Sequence, residues 1–306
     1  MQKIKINKLV EETEAAGLRA DRYVSDIMEL LPRSQIKNRE LGIEINGRPS
    51  KLSRAVQIGD QLIITYLPPE NLEVVAEDIP LNVIFENQRC IVLNKPQGMV
   101  VHPGAGNYSG TLVHALLAHI PELKTNFPDE SLRPGIVHRL DKDTSGIIVA
   151  AKDPEALQFL SRQFAKKSIS KQYLALVKGV LQKPHGRIDH PIARDVHNRK
   201  KFTWQRSDGK EASTEYRVLR RFENSSFVGL FPSTGRTHQL RVHMCSLGHP
   251  IIGDPVYGRS GGSFKNFTLM LHAYKITLRL PGEREAQVFR AHLPQHFKAA
   301  LRSLRS

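Results

Sequence analysis

Short runs of β-branched or alternating hydrophobic residues, bounded by glycine, proline and asparagine, recur along most of this chain. Such runs predict β-strands, whereas hydrophobic residues spaced three and four positions apart predict helices. We expect strands at 43–45, 61–65, 90–95, 147–151, 171–179 and 271–280, and helices at 19–31, 34–39, 111–120 and 154–166. Many strands with few long helices are typical of an α+β fold.

Prolines and acidic residues are concentrated between Leu67 and Pro80, which indicates a linker or an extended lead-in to the next strand. We therefore predict a small domain over residues 1–67, a linker over 68–80 and a larger domain over 81–306. Within the small domain, Pro32 is expected to end the first helix and Ser34 to cap the second.

A cluster of charged residues precedes the apolar run 147–151 and is predicted to lie in the turn that leads into a buried strand. Asp141 is flanked there by His138, Arg139 and Lys142. Neighbouring positive charges favour the ionised carboxylate, so Asp141 is suited to act as a nucleophile or a base rather than a proton donor. The alternative interpretation is an ordinary Asp/Ser turn closed by a salt bridge.

Net charge changes this picture, because the formal charge of +15 and the pI of about 9.9 indicate a polyanionic partner. Residues 1–80 carry 11 Lys+Arg and 13 Asp+Glu, so the remaining 34 basic and 17 acidic residues lie in 81–306. Arg199, Lys200 and Lys201 form a basic cluster beside Phe202 and Trp204. This cluster is predicted either to bind phosphates next to stacked bases or to be a solvated surface.

Several classes of protein are not favoured. Two cysteines without CxxC or zinc spacing fit a reducing cytosol, and neither a signal peptide nor a membrane-spanning run is found. Glycines 104, 106 and 110 miss the dinucleotide-binding spacing by one position. We expect a soluble cytoplasmic protein with no nucleotide cofactor and no membrane partner.

The segment Ser233–His243 is predicted to be an extended strand, with Arg236 and His238 on one face and His243 on the other. The two histidines match no common zinc spacing and would be separated by the strand, so no metal site is expected. Tyr173 begins another predicted strand, and a tyrosine there is more often a core ring than a catalytic group.

Four ordered motifs resemble those of the RluA/RluD group of pseudouridine synthases, from about residue 80 to the C-terminus. They are Asn94-Lys95-Pro96 with His102-Pro103, the run from His138 to Gly146, Tyr173 in Lys-Gln-Tyr, and the run from Gly235 to His243. The N-terminal layout resembles the small α-L RNA-binding module of a ribosomal protein, with a departure between residues 38 and 42. The resemblance implies a mixed, mostly antiparallel sheet flanked by helices and loops.

The same resemblance implies that uridine in RNA is isomerised to pseudouridine without cofactor, metal or ATP. Asp141 would attack either the base or the anomeric carbon of the ribose. Tyr173 would stack on the uracil and assist removal of the C5 proton, while Arg236 would pair with Asp141. Arg139 would fill the space that the flipped base leaves. The predicted RNA contacts are Arg139, His138, Arg199, Lys200, Lys201 and Arg241.

The implied substrate is large-subunit ribosomal RNA, with transfer RNA as the alternative, and we expect a monomer. A glycoside hydrolase using Asp141 and Asp143 is a competing hypothesis, but such an enzyme needs one protonated carboxyl group, and both of these lie among basic residues. A non-catalytic RNA-binding protein is the other, because charge alone would suffice for it.

Overall fold

The computed structural model describes residues 3–28, 30–31, 36, 40–67, 74–104, 106–128, 133–196, 198, 201–258 and 264–304. The chain divides into two compact units, Met1–Leu72 and Glu73–Ser306. Pro32 and the predicted helix 34–39, apart from Ile36, lie outside the described residues. Within the ranges just given, no helix combines the length and the apolar character needed to cross a membrane.

The first unit contains a four-stranded antiparallel sheet in the order β1-β4-β2-β3. Its strands are β1 Ile4–Leu9, β2 Gly42–Ile45, β3 Arg48–Ser50 and β4 Gln61–Tyr66, which confirms the strands predicted at 43–45 and 61–65. The predicted helix 19–31 is shorter: α1 covers Ala20–Arg22 and continues as a π-helical turn over Tyr23–Ile27. The ring of Tyr23 is fully buried and packs with Ile45 and Leu62.

The second unit contains the remaining strands and helices of the described chain. The strands are β5 Val83–Glu86, β6 Cys90–Lys95, β7 Ser145–Ala151, β8 Ser170–Lys178, β9 His185–Ile188, β10 Ala193–Arg194, β11 Phe202–Thr203, β12 Thr214–Arg221, β13 Ser225–Pro232, β14 Leu271–Arg279 and β15 Ala286–Arg290. The helices are α2 Leu112–His119, α3 Leu123–Asn126, α4 Pro154–Ala165, α5 Gln239–Ser246 and α6 Gln295–Ser303.

Among the described residues, one large sheet runs in the order β5-β6-β7-β14-β8-β13-β12-β9, and β15 pairs with β14. Its neighbours are antiparallel except β7 and β14, which are parallel. β10 and β11 form a separate hairpin. The structure therefore confirms the predicted α+β class with a mixed, mostly antiparallel sheet.

Both faces of the β6–β7 pair are covered, because successive side chains of a strand point to opposite sides. Ile148 of β7 packs with α2 in one hydrophobic cluster, whereas Ile147 and Val149 pack with α4 in another. All seven residues of β7 are buried as a result. This burial fixes the strand that follows the charged turn.

The predicted linker over 68–80 is too long at its C-terminal end, which is a correction. Val74 is buried in a cluster of the second unit, and the Glu77 carboxylate accepts a hydrogen bond from the Gly110 N–H at 3.1 Å. These contacts attach residues from 74 onward to the larger unit, while residues 68–73 lie outside the described chain.

Candidate active site

The charged turn before β7 is held mainly by hydrogen bonds to its backbone. The Lys95 ammonium is buried and donates to the carbonyls of Pro96, Met99 and Lys142 at 2.9, 2.9 and 3.1 Å. The Gln97 amide donates to the Asp143 carbonyl at 2.8 Å. Burial lowers the pKa of Lys95 to about 8. These contacts fix the path of the turn on both sides of residue 141.

A glycine is required where β7 begins, because Gly146 has φ +115° and lies against the backbone of β14. A Cβ at this position would overlap the Ala273 carbonyl oxygen. The adjacent Ser145 hydroxyl is hydrogen-bonded to His272 Nδ1 at 2.9 Å. β14 therefore braces the start of β7 directly after the turn.

The Asp141 carboxylate lies beside a buried ion pair. Arg241 donates through Nε and Nη2 to both Asp254 oxygens at 2.7 and 2.8 Å, and its Nη1 reaches Asp141 Oδ2 at 3.3 Å. The Asp254 side chain has no exposed surface. Burial opposes its ionisation, but hydrogen bonding to Arg241 leaves the pKa of Asp254 below its usual value. Arg241 is thus held by one carboxylate while it contacts the other.

This geometry corrects one prediction for the arginines. Arg236 was expected to pair with Asp141, but its Nε donates to the Glu211 carbonyl at 3.0 Å, and the arginine that contacts Asp141 is Arg241. Arg241 was predicted to bind RNA, and its side chain is buried between Asp141 and Asp254 at the cavity described below.

The predicted strand 233–243 is also wrong, because helix α5 begins at Gln239. The Gln239 side chain accepts hydrogen bonds from the Thr234 hydroxyl and the Arg236 N–H, and donates to Ser213 and Thr214. His238, just before the helix, has φ +57°. The chain therefore reverses at His238, and the helix carries Arg241 toward Asp141.

His238 connects Asp141 to a second tyrosine. The Phe202 N–H donates to the Tyr257 hydroxyl at 2.8 Å, and that hydroxyl is 2.9 Å from His238 Nδ1. The other ring nitrogen of His238, Nε2, lies 3.8 Å from Asp141 Oδ2. Burial lowers the pKa of His238 despite the negative charge of Asp141.

His243 lies apart from this group: its Nδ1 contacts the Thr214 hydroxyl and its Nε2 the His190 carbonyl. In the described part of the chain, no three His, Cys, Asp or Glu side chains are arranged to hold a metal ion.

A cavity of about 120 Å³ brings several of the predicted residues together. Asp141, Tyr173, Arg236 and Arg139 line it, together with Lys171, His238 and Arg241. Burial, with a smaller contribution from the Asp141 charge, raises the pKa of Tyr173 above its usual value. Burial also lowers the pKa of Lys171 to about 8, and its ammonium donates to the Thr234 carbonyl at 3.0 Å.

The other predicted RNA contacts differ in accessibility. Arg139 is exposed at the cavity edge. His138 Nε2 accepts a hydrogen bond from the Val149 N–H at 3.0 Å, and burial lowers the pKa of His138 to about 3, so it is neutral and supports β7. Arg199 and Lys200 lie outside the described residues, while Lys201 is partly exposed beside the β10–β11 hairpin.

Lys171, Gln239, Tyr257 and Asp254 were not singled out for the site by sequence reasoning. Lys171 stands two residues before Tyr173 on one strand and so on the same face, which is a signal that the sequence contains. Asp254 follows Gly253, and nothing in the sequence around it indicates Arg241 as its partner.

Comparison with known proteins identifies the class of enzyme to which this fold and cavity belong. The model of the RNA pseudouridylate synthase family matches residues 89–246. The human RNA pseudouridylate synthase domain containing 4 structure has a TM-score of 0.58 and 27% identity, covering 73% of this chain and 93% of that one. The chain belongs to the RNA pseudouridylate synthase family.

Two curated relatives extend the similarity over nearly the full length. A ribosomal large subunit pseudouridine synthase D from Borreliella burgdorferi is 46% identical over 92% of this chain and 88% of its own. An uncharacterized RNA pseudouridine synthase from Aquifex aeolicus is 42% identical over 97% of both chains. The predicted class of enzyme, an RNA pseudouridine synthase, is confirmed.

Proposed function

We propose that this enzyme isomerises uridines of large-subunit ribosomal RNA, with Asp141 as the nucleophile. The observation that carries the proposal is the Asp141 carboxylate, which faces a base-sized cavity and is contacted by Arg241 of a buried ion pair. The 46% identical relative is named for the large ribosomal subunit, which supports this RNA as substrate. Asp141 lies within this cavity, so the target uridine must leave its stack to reach the carboxylate.

The reaction rearranges bonds within one nucleotide. Asp141 attacks the base or the anomeric carbon, the N1–C1′ bond breaks, the uracil turns, and a C5–C1′ bond forms. The carboxylate is released, C5 loses its proton and N1 gains one, so the product has the same atoms as the substrate. Arg241 orients Asp141 for the attack, because its Nη1 lies 3.3 Å from Asp141 Oδ2 and a hydrogen bond fixes the position of the carboxylate.

Tyr173 has two proposed roles. Its ring stacks on the uracil, and its hydroxyl relays the C5 proton. A pKa raised by burial disfavours a standing phenolate. The hydroxyl therefore passes its own proton to the released Asp141 carboxylate as it accepts the one from C5. Asp141 then gives up this proton to water and N1 takes one from water, which restores the carboxylate. Arg139, exposed at the cavity edge, fills the position that the flipped base vacates.

Residues 1–67 are proposed to form the α-L RNA-binding module that assists choice of site, joined to a monomeric catalytic domain. The first unit has its own hydrophobic core, so a chain lacking residues 1–72 is expected to fold. It should convert a short RNA normally and bind full-length ribosomal RNA more weakly. A ribosomal substrate implies that the enzyme works in the cytoplasm.

The proposed function is tested with uridine carrying tritium at C5 and carbon-14 in the ring, incorporated into ribosomal or transfer RNA. Isomerisation releases tritium to water while the carbon label stays in the RNA as pseudouridine. A glycoside hydrolase would release labelled uracil, and a non-catalytic RNA-binding protein would release neither label. Faster conversion of transfer RNA than of large-subunit RNA would contradict the proposed substrate.

A further inference from the structure

A second cavity of about 400 Å³ adjoins the first. The two share a wall that includes Arg139, Lys171, Tyr173 and Arg236. An RNA chain whose uracil occupies the first cavity must continue past this wall, because neighbouring nucleotides are covalently linked. The second cavity therefore offers an adjoining space for part of the next nucleotide.

An aromatic ring lines the second cavity. Phe164, partly exposed at the end of α4, stacks on the His138 ring with a centroid distance of 4.5 Å and an interplanar angle of 23°. His138 is itself fixed by its hydrogen bond to the Val149 N–H. The Phe164 ring is thus preorganised, and a fixed aromatic face is the surface on which unpaired bases stack.

The charges around this cavity are of one sign. Lys167 and Lys171 line it with Arg139 and Arg236, and no carboxylate among the described residues does so. None of these four cations forms an ion pair with a described acidic side chain, and Lys171 and Arg236 donate to backbone carbonyls instead. A neighbouring cavity near β10 differs, because Asp208 lines it and pairs with Arg206.

We propose that the second cavity binds the nucleotide next to the target uridine, with its base against Phe164 and its phosphate among Lys167, Lys171 and Arg139. This proposal rests on the proposed function, since it requires the target uracil in the first cavity. An aromatic ring with unneutralised cations suits a nucleotide and fits neither a cationic nor a purely apolar ligand. The base is held by stacking, so its identity matters less than its presence.

The test combines protein variants with modified RNA. Each short RNA contains one uridine that the enzyme converts. One RNA is intact, and the other two have an abasic site immediately 5′ or 3′ of that uridine. RNA affinity and conversion are measured for wild type and for Phe164→Leu. Leucine keeps an apolar side chain in the hydrophobic cluster but removes the stacking face. Phe159→Leu is the matched control, because Phe159 lies in the same helix and cluster but does not line the cavity.

For wild type we expect one of the two abasic RNAs to bind about tenfold more weakly, the scale of one lost stacking contact. In Phe164→Leu the intact RNA should show that loss, and the abasic site should add nothing further. Phe159→Leu should behave as wild type. The subsite would be contradicted if the abasic site weakened RNA binding by Phe164→Leu as much as it weakens binding by wild type. It would also be contradicted if neither abasic site weakened binding by wild type. In both cases conversion of intact RNA by wild type would still support the proposed function. If wild type did not convert intact RNA, both the proposed function and the proposed subsite would be contradicted.

A second measurement tests the charges. Lys167→Ala should reduce the slope of log affinity against log salt by roughly 0.7 to 0.9, the value for one phosphate contact. Lys166→Ala is the control, because Lys166 is equally exposed in the preceding position but does not line the cavity. Equal slopes for Lys167→Ala and wild type would contradict a phosphate at this wall.

Discussion

The turn that contains Asp141 and the turn that precedes the helix of Arg241 are held in different ways. The turn before β7, with Asp141, is fixed through its backbone carbonyls by Lys95 and Gln97. The turn before α5, which precedes Arg241, is fixed through the side chain of Gln239. The first turn should therefore tolerate changes of its side chains, whereas the second should depend on particular side chains.

The largest effect is expected from Asp141→Asn. The amide retains the shape of the carboxylate but cannot act as a nucleophile, so single-turnover conversion of RNA should fall by about 10³-fold or more. Asp143→Asn is the control within the same turn. The Asp143 carbonyl accepts from Gln97, which the substitution leaves in place, and the side-chain charge acts on Lys95 only through space. Conversion by Asp143→Asn should therefore change by at most a few-fold. Equal losses would favour the paired carboxylates of a glycoside hydrolase.

Arg241→Met should have the largest effect on stability. It leaves the buried Asp254 carboxylate without its partner, and breaking a buried ion pair from one side costs about 3 to 5 kcal/mol. Arg236→Met removes an exposed hydrogen bond and should cost less than about 1 kcal/mol. Urea unfolding of both variants measures the difference. A similar cost for the two would contradict the assignment of Arg241 as the partner of Asp141 and Asp254.

Lys171→Met tests the buried cation of the cavity wall through pH. In the folded chain the pKa of Lys171 is about 8, below its usual value near 10.5, so between these pH values the unfolded chain binds the extra proton. The free energy of unfolding of wild type should therefore rise with pH across this window.

Lys171→Met lacks the titrating amine, so its free energy of unfolding should rise less than that of wild type between pH 8 and 10. The difference should be on the order of 2 kcal/mol. Unfolding at both pH values, with Lys166→Met as an exposed control, measures the change. Parallel pH dependences would show that the folded chain keeps Lys171 charged.

Tyr173→Phe should slow turnover by roughly tenfold while RNA affinity stays nearly constant, because the stacking ring remains and only the hydroxyl is lost. The comparison of kcat with affinity separates the two roles. Unchanged turnover would leave Tyr173 with a packing role only.

The smallest effect concerns the backbone at His238. A left-handed residue other than glycine is strained by about 1 kcal/mol, so His238→Gly should be more stable than His238→Ala by about that amount. In a strand the order would be reversed, because glycine there is destabilising relative to alanine. Urea unfolding of the two variants therefore distinguishes the observed turn and helix from the strand that the sequence predicts.

The first turn was predictable because its signals are local. A β-branched run bounded by glycine predicts β7, and the charged residues before it must then lie in a turn. Helix α5 could not be recognised in this way, because residues from Gln239 to Met244 are all buried, so its polar and apolar residues show no helical period. The pairing of Arg236 with Asp141 came instead from the family resemblance, and the structure places Arg241 in contact with Asp141.

The parallel pairing of β7 with β14 also has a consequence for the synthesis of the chain. Ser145 is hydrogen-bonded to His272, which is 127 positions later in the chain. During synthesis the Asp141 turn is therefore made long before β14, the strand that supports it. The sheet of the first unit needs no residue beyond Tyr66 and can form early on the ribosome. The Asp141 carboxylate thus acquires its final position only after β14 has emerged, and a chain truncated before Leu271 would keep the first unit without the strand that supports this turn.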